Sequence, residues 1–189
     1  MKIVIGLVGE KGSGKETFGN FLKVLLPRKH IDRIHFSDIL VETLALWDIP
    51  KTRSNLQILA QYMEEFGKGT LSSAIKKRAL KSKAEIVIID GIRWESDLKM
   101  LKSFPKNLLV YITADLKIRY QRTKLRKEKA FEEATTFEQF MKEEKAKNEV
   151  LIPKIGYGAD FKIINNATLE EFRAQVEKFS DKYLHGHSG

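Results

Sequence analysis

Residues 3–26 read as one unit: an apolar run, Ile3–Val8, then Gly9-Glu10-Lys11-Gly12-Ser13-Gly14-Lys15-Glu16-Thr17, then a helical stretch from Lys15 to Leu26. A strand that turns through glycines directly into a helix is the first arm of a parallel β–α–β arrangement. Glycine allows the tight turn, so backbone N–H groups can point inward at a phosphate chain. The helix N-terminus adds partial positive charge and Lys15 a full one. The pattern Gly-x-x-x-x-Gly-Lys is the phosphate-binding P-loop, with Gly9, Gly12, Ser13, Gly14 and Lys15 as its core. One position departs from it. Glu16 stands where a Ser or Thr hydroxyl normally holds Mg²⁺, and a hydroxyl follows one residue later at Thr17. Glu16 reads either as a second carboxylate near the metal, leaving Thr17 to the α-phosphate, or as a solvent-facing first-turn residue that favours the helix dipole.

The rest of the chain continues the alternation. Strand candidates are Lys2–Val8, Ile31–Phe36, Glu85–Asp90, Leu108–Thr113 and Phe161–Ile164, short and β-branched as in strands buried on both faces. Helical spacing marks residues 54–66 and 71–82, and Thr168-Leu-Glu-Glu171 caps a helix over 168–184. An α/β fold with a parallel sheet follows. Two excursions interrupt it: 48 residues between the second and third strands, and a charge-dense stretch from about 123 to 150 with little core periodicity. Ligands in open α/β sheets bind at the C-terminal ends of the strands, so both excursions are expected over that edge.

With 189 residues the chain suits one domain over residues 1–184, and the tail His185–Gly189 reads as disordered. The 42% hydrophobic fraction contains no run near the roughly 20 residues of a membrane span. Neither a secretory signal nor a transit pattern opens the chain, and no cysteine occurs, which excludes disulfides and thiol catalysis and suits a cytoplasmic protein. A net charge of +9 points either to an anionic partner or to a lysine-rich solvated surface.

Further residues carry phosphate chemistry. Asp90 ends an apolar strand, the form of a carboxylate that holds Mg²⁺ directly or through water. Gly91 then allows close backbone approach, and Arg93 presents a fork of donors suited to phosphate. Arg119, Arg122 and Arg126 share one helix face, with Lys124, Lys127, Glu128 and Lys129 near them; too few carboxylates neutralise that face, so it reads as a clamp on a transferring phosphate. Ser37 or Asp38 caps the helix after the second strand, and each is equally a candidate to touch a ligand. Arg53 either holds an acceptor phosphate or faces water.

Together the loop at 9–17, Ser37-Asp38, Asp90-Gly-x-Arg93, the arginines from 119 to 126 and the end Gly158–Phe172 resemble the nucleoside monophosphate kinase group of P-loop kinases. The likeness spans nearly the whole chain. It extends to deoxynucleoside monophosphate kinases, dephospho-CoA kinases and archaeal-type adenylate kinase-related proteins, and the acid after the lysine is also similar to that of animal-type phosphomevalonate kinases. The resemblance implies a three-layer α/β/α fold with a five-stranded parallel sheet in the order 2-3-1-4-5. It implies an acceptor-binding helical insertion over about 38–83 and a lid over about 119–150. It implies ATP and Mg²⁺ as cofactors, with Asn166 and Ala167 at the adenine and Glu16, Thr17 and Asp90 at the metal. Lys15, Arg119, Arg122 and Arg126 would act on the transferring group, and Ser37, Asp38, Arg53 and Arg93 on a small phosphorylated acceptor. A nucleoside or deoxynucleoside monophosphate leads among acceptors, before dephospho-CoA, for which Asp38 would serve as base. The basic charge keeps a nucleic-acid 5′-hydroxyl in play, although no aromatic-studded groove is legible. An ATPase or switch without an acceptor is the reading from another class. A monomer or homodimer with no membrane partner is expected. If Glu16 lies near the metal, Glu16→Ser will shift the Mg²⁺ dependence of nucleotide binding; an unchanged metal titration would assign Glu16 to solvent.

Overall fold

Val4 and Val8 point to one face of the first strand and Ile5 and Leu7 to the other, and all four are fully buried. A strand sealed on both faces belongs at the centre of a sheet covered on both sides. In the computed structural model, which describes residues 2–67, 69–125, 136–147 and 149–185, it does. The strand β1 (Ile3–Val8) leads through the loop into α1 (Lys15–Leu25). Then follow β2 (Ile31–His35), α2 (Phe36–Leu46), α3 (Arg53–Phe66) and α4 (Thr70–Lys81). Next come β3 (Ile86–Asp90), α5 (Glu95–Lys102), β4 (Asn107–Thr113) and α6 (Leu116–Leu125). The described chain closes with α7 (Phe137–Glu143), α8 (Ile152–Tyr157), β5 (Phe161–Ile164) and α9 (Leu169–Tyr183). Arg126, Lys127, Glu128 and Lys129 of the basic run, and residues 186–189 of the tail, lie outside the described residues.

The sheet has five strands in the order β2-β3-β1-β4-β5, and each neighbouring pair is parallel. The order and the α/β layering agree with what the resemblance implied. Alternation along the strands builds two cores. Val87, Ile89, Leu109 and Tyr111 join the core beneath α2, α3, α4, α5 and α8. Ile86, Ile88, Val110 and Ile112 join the core beneath α1 and α9, where Phe18 and Phe179 meet at 5.4 Å between ring centroids.

Register decides what meets at the sheet's carboxyl edge. Leu7 and His35 both lie opposite Asp90, and Val8 lies opposite Tyr111. The loop after β1 therefore opens beside the ends of β3 and β4. The first excursion folds as α2, α3 and α4, which pack on one another. The second excursion has more core than its charge suggests: Phe140 of α7 is fully buried and tilted against Tyr120 of α6, which Phe137 also meets, edge-on. A single aromatic per turn is too sparse a signal to show helical periodicity in so charged a sequence.

Candidate nucleotide and anion-binding site

The loop at 9–15 is held open by backbone conformations that side chains resist. Gly12 and Gly14 have φ of 77° and 107°, in the left-handed region. A Cβ on Gly14 would also come within 2.5 Å of the Asn165 amide, and one on Gly12 within 2.6 Å of the Arg119 carbonyl oxygen. The Lys15 ammonium donates to the carbonyls of Gly9 (2.6 Å) and Glu10 (3.0 Å), closing the loop on itself. Burial pushes the pKa of Lys15 down, and Asp90 opposes that shift.

On one side of the loop, a cavity of about 310 Å³ is lined by Gly12, Gly14, Thr17, Arg122, Leu125, Asn165, Leu169 and Phe172. Asn165 organises it. Its buried amide donates to the Ser13 carbonyl at 2.9 Å, and its backbone carbonyl accepts from Arg122 at 2.8 Å. Apolar Leu125, Leu169 and Phe172 line it together with the polar Thr17, Arg122 and Asn165, a mixture that suits a nucleobase and its sugar. Asn165 lines this cavity and carries no signal of that in the sequence. Asn166 and Ala167, expected there, are exposed and line no part of the cavity; the Asn166 side chain instead accepts the Asp115 N–H at 2.8 Å.

At the end of β3, Asp90 is buried, with Arg33 Nη2 2.5 Å from its Oδ2 and His35 Nδ1 3.5 Å from the same oxygen. Burial alone would raise its pKa, but Lys15 and Arg33 hold it below the usual carboxylate range. A carboxylate kept charged beside the P-loop lysine, and the Thr17 hydroxyl at the cavity, are hard oxygen donors that fit Mg²⁺. Among the described residues no group of three His, Asp or Glu side chains forms a metal cage, so such an ion would take most of its ligands from phosphate and water. Glu16 occupies the first turn of α1, half-buried. Arg33 gave no signal in the sequence, because a charged residue within a five-residue strand reads as an edge position.

On the other side of the loop, four cations from separate parts of the chain converge on carboxylates of one segment. Arg53, the first residue of α3, places Nε 2.9 Å from Glu143 and Nη2 3.4 Å from Glu149. Arg93 places Nη2 3.3 Å from the same Glu149 oxygen. Lys11 lies 3.5 Å from Glu143, and Arg119 lies 2.7 Å from Glu144. Phe140 lies beneath both Lys11 and Arg119. Beside Arg53, a second cavity of about 220 Å³ is lined by Ser54, Gln57, Ile58, Gln61, Ala146 and Lys147.

Several expectations change here. Arg119 is buried, bonded to the carbonyls of Ala114 and Lys11 and to Glu144, so it braces the loop rather than lining an open stripe with Arg122. Of the basic run, Arg119 meets a carboxylate, Glu144, which returns from too far along the chain for local counting. Asp38 is no N-cap. The helix begins two residues earlier at Phe36, and the Asp38 carboxylate accepts the His35 N–H at 2.9 Å, which occupies it structurally. Ser37 is exposed on the first turn.

No protein-family model matches the chain. The UPF0200 protein of Sulfurisphaera tokodaii is 30% identical over 182 residues, covering 96% of this chain and 97% of that one. The chain belongs to the UPF0200 family. UPF0200 protein PH1008 of Pyrococcus horikoshii is 29% identical over 188 residues, with 96% and 98% covered. Among solved structures, TT1252 of Thermus thermophilus superposes with a TM-score of 0.63 at 15% identity, over 98% of this chain and 99% of that one. Shikimate kinase of Acinetobacter baumannii, solved with shikimate, gives 0.61 at 19% identity, over 100% and 97%. A gluconokinase of Sinorhizobium meliloti gives 0.57 at 15%, over 95% and 94%. At these identities the likeness is one of fold, and the fold is that of P-loop kinases.

Arg93 is held by a residue outside the cation cluster. Asp97, fully buried in α5, accepts the backbone N–H groups of Arg93 and Trp94 at 2.9 Å each and the Ser72 hydroxyl at 2.6 Å. Burial pushes its pKa up to about 6, against those hydrogen bonds. The folded state then holds this proton more tightly than the unfolded chain, so stability falls as pH rises from about 4 through about 6. Urea unfolding across that window should show the decline in the wild type, and Asp97→Asn should flatten it.

Proposed function

We propose that this protein is an ATP- and Mg²⁺-dependent phosphotransferase that moves the γ-phosphoryl group to a small phosphorylated acceptor, with a nucleoside or deoxynucleoside monophosphate as the leading candidate. The observation that carries this reading is the convergence of Arg53 and Arg93 on one carboxylate, Glu149, on the side of the P-loop away from the Asn165 cavity. Two guanidinium forks around one anion, beside a lysine-bearing phosphate loop, make a second anion site.

In this reading the nucleoside of ATP lies in the cavity at Phe172 and Asn165, and its phosphates run along the loop. Lys15 leaves the carbonyls of Gly9 and Glu10 for the β- and γ-phosphates. Mg²⁺, when bound, neutralises charge on those phosphates. Arg53 and Arg93 grip the acceptor's anionic group, and the acceptor's body enters the cavity along α3. Arg122 faces the nucleotide side, while Arg119 braces Lys11 and Ala114 behind the loop. Positioning and electrostatics supply most of the rate when the nucleophile is already an anion. A hydroxyl acceptor such as that of dephospho-CoA is less suited, because Asp38, the candidate base, already serves as a helix acceptor.

ATP turnover measured with a panel of nucleoside monophosphates, dephospho-CoA and no acceptor decides the matter. Acceptor-dependent ADP formation with a phosphorylated product is expected. Lys15→Ala should lower that rate by about 10²-fold or more with its circular dichroism unchanged. ATP hydrolysis that no acceptor alters would replace the kinase by an ATPase.

A further inference from the structure

The Arg53–Arg93 cradle and its occupant are mismatched. Both guanidinium groups meet a single oxygen, Oε1 of Glu149, at 3.4 and 3.3 Å. The other oxygen, Oε2, is buried and has no hydrogen-bond partner among the described residues, and Arg93 Nε is likewise buried without one. Glu149 is only 4% exposed, so neither group is satisfied by bulk water. A buried carboxylate with an unused oxygen, opposite a guanidinium with an unused donor, is a costly arrangement. A tetrahedral group with three acceptor oxygens would use donors that one carboxylate oxygen leaves idle.

We propose that Glu149 is a tethered competitor: a stand-in that any incoming anion must displace, so that the cradle is filled by a phosphate dianion, which outbinds it, and stays closed to a simple carboxylate at the same concentration. This rests on the reading of Arg53 and Arg93 as the acceptor's anion site. The physical reason is competition. A carboxylate on the same chain acts at an effective concentration on the order of millimolar. A free monocarboxylate brings the same charge and the same geometry, and gains nothing over it. A phosphate monoester brings about twice the charge between two cations, with more oxygens to place. Glu143 on Lys11 and Arg53, and Glu144 on Arg119, come from the same segment, so the neighbouring cations are neutralised in the same manner. The acceptor class that follows is a phosphate-bearing molecule rather than a carboxylic acid.

Calorimetric titration with inorganic phosphate and with formate at pH 8 tests this without ATP or any acceptor. The parent protein is the full chain carrying Lys15→Ala, which weakens phosphate binding at the P-loop. Phosphate should bind at least about tenfold more tightly than formate. Glu149→Gln should strengthen phosphate binding about tenfold, and formate binding by a similar factor because both displace the same side chain, and Arg93→Ala should abolish that gain. Glu149→Asp, whose carboxylate is one methylene shorter, should shift affinity in the same direction. Equal phosphate and formate affinity in the parent, unchanged phosphate affinity in Glu149→Gln, or a gain that persists with Arg93→Ala would each overturn the proposal. Should Glu149→Gln not fold, the phosphate–formate comparison in the parent decides. Because no transfer is measured, an absence of kinase activity leaves this result standing, and a failed anion exchange leaves acceptor-dependent transfer to be observed on its own.

Discussion

Burial of β1 on both faces is the constraint on which the rest depends. A strand with no exposed side has to lie at the sheet centre, with β3 and β4 as neighbours, and its carboxyl end then opens between theirs. The loop at 9–15, Asp90 and the segment after β4 meet there because parallel strands in register end together. Helices α1 and α9 seal one face, and helices from both sides of β3 and β4 seal the other. Mutations in β1 therefore reach the site through geometry rather than contact.

What gathers at that edge is an excess of cations. Lys11, Lys15, Arg53, Arg93 and Arg119 come from different elements, and like charges brought together repel unless an anion joins them. In the protein as described, that role falls to carboxylates of the chain itself: Asp90 beside Lys15, and Glu143, Glu144 and Glu149 on the others. A basic edge neutralised by acids on a separate segment avoids like-charge repulsion without ligand and is still suited to anions. The same segment carries Phe140, whose burial under Lys11 and Arg119 ties its position to the loop. Electrostatics and packing thus act on one element together.

The parts legible in sequence were those with local periodicity or a fixed motif. Strands β1, β3 and β4 were recognisable because each is a short, mostly apolar run, and the helix over Arg53–Phe66 because its apolar residues recur at helical spacing. Arg53 and Arg93 stood out because each follows a strand or loop punctuated by small residues. The start of α2 was misplaced by two residues, since Ser37-Asp38 looks like a cap when Asp38 in fact reaches back to His35. The asparagine that lines the cavity is Asn165, and its neighbour Asn166 is exposed. In adjacent asparagines nothing local tells which amide points inward, and only the alternation imposed by β5 puts Asn165 in.

By itself the sequence determined a parallel α/β order, a phosphate loop between the first strand and helix, and a carboxylate at the end of β3. Those follow from neighbours in the chain: glycine's conformational freedom, alternating burial and helix termini. Only the tertiary structure decided that Arg33 guards Asp90, that Asn165 supports Ser13, and that Glu149 sits between Arg53 and Arg93. Each of those contacts joins residues tens of positions apart, on elements that packing alone brings together. A charged side chain's partner is set by which elements share an edge of the sheet, and the local pattern of a charge-dense stretch carries no record of it.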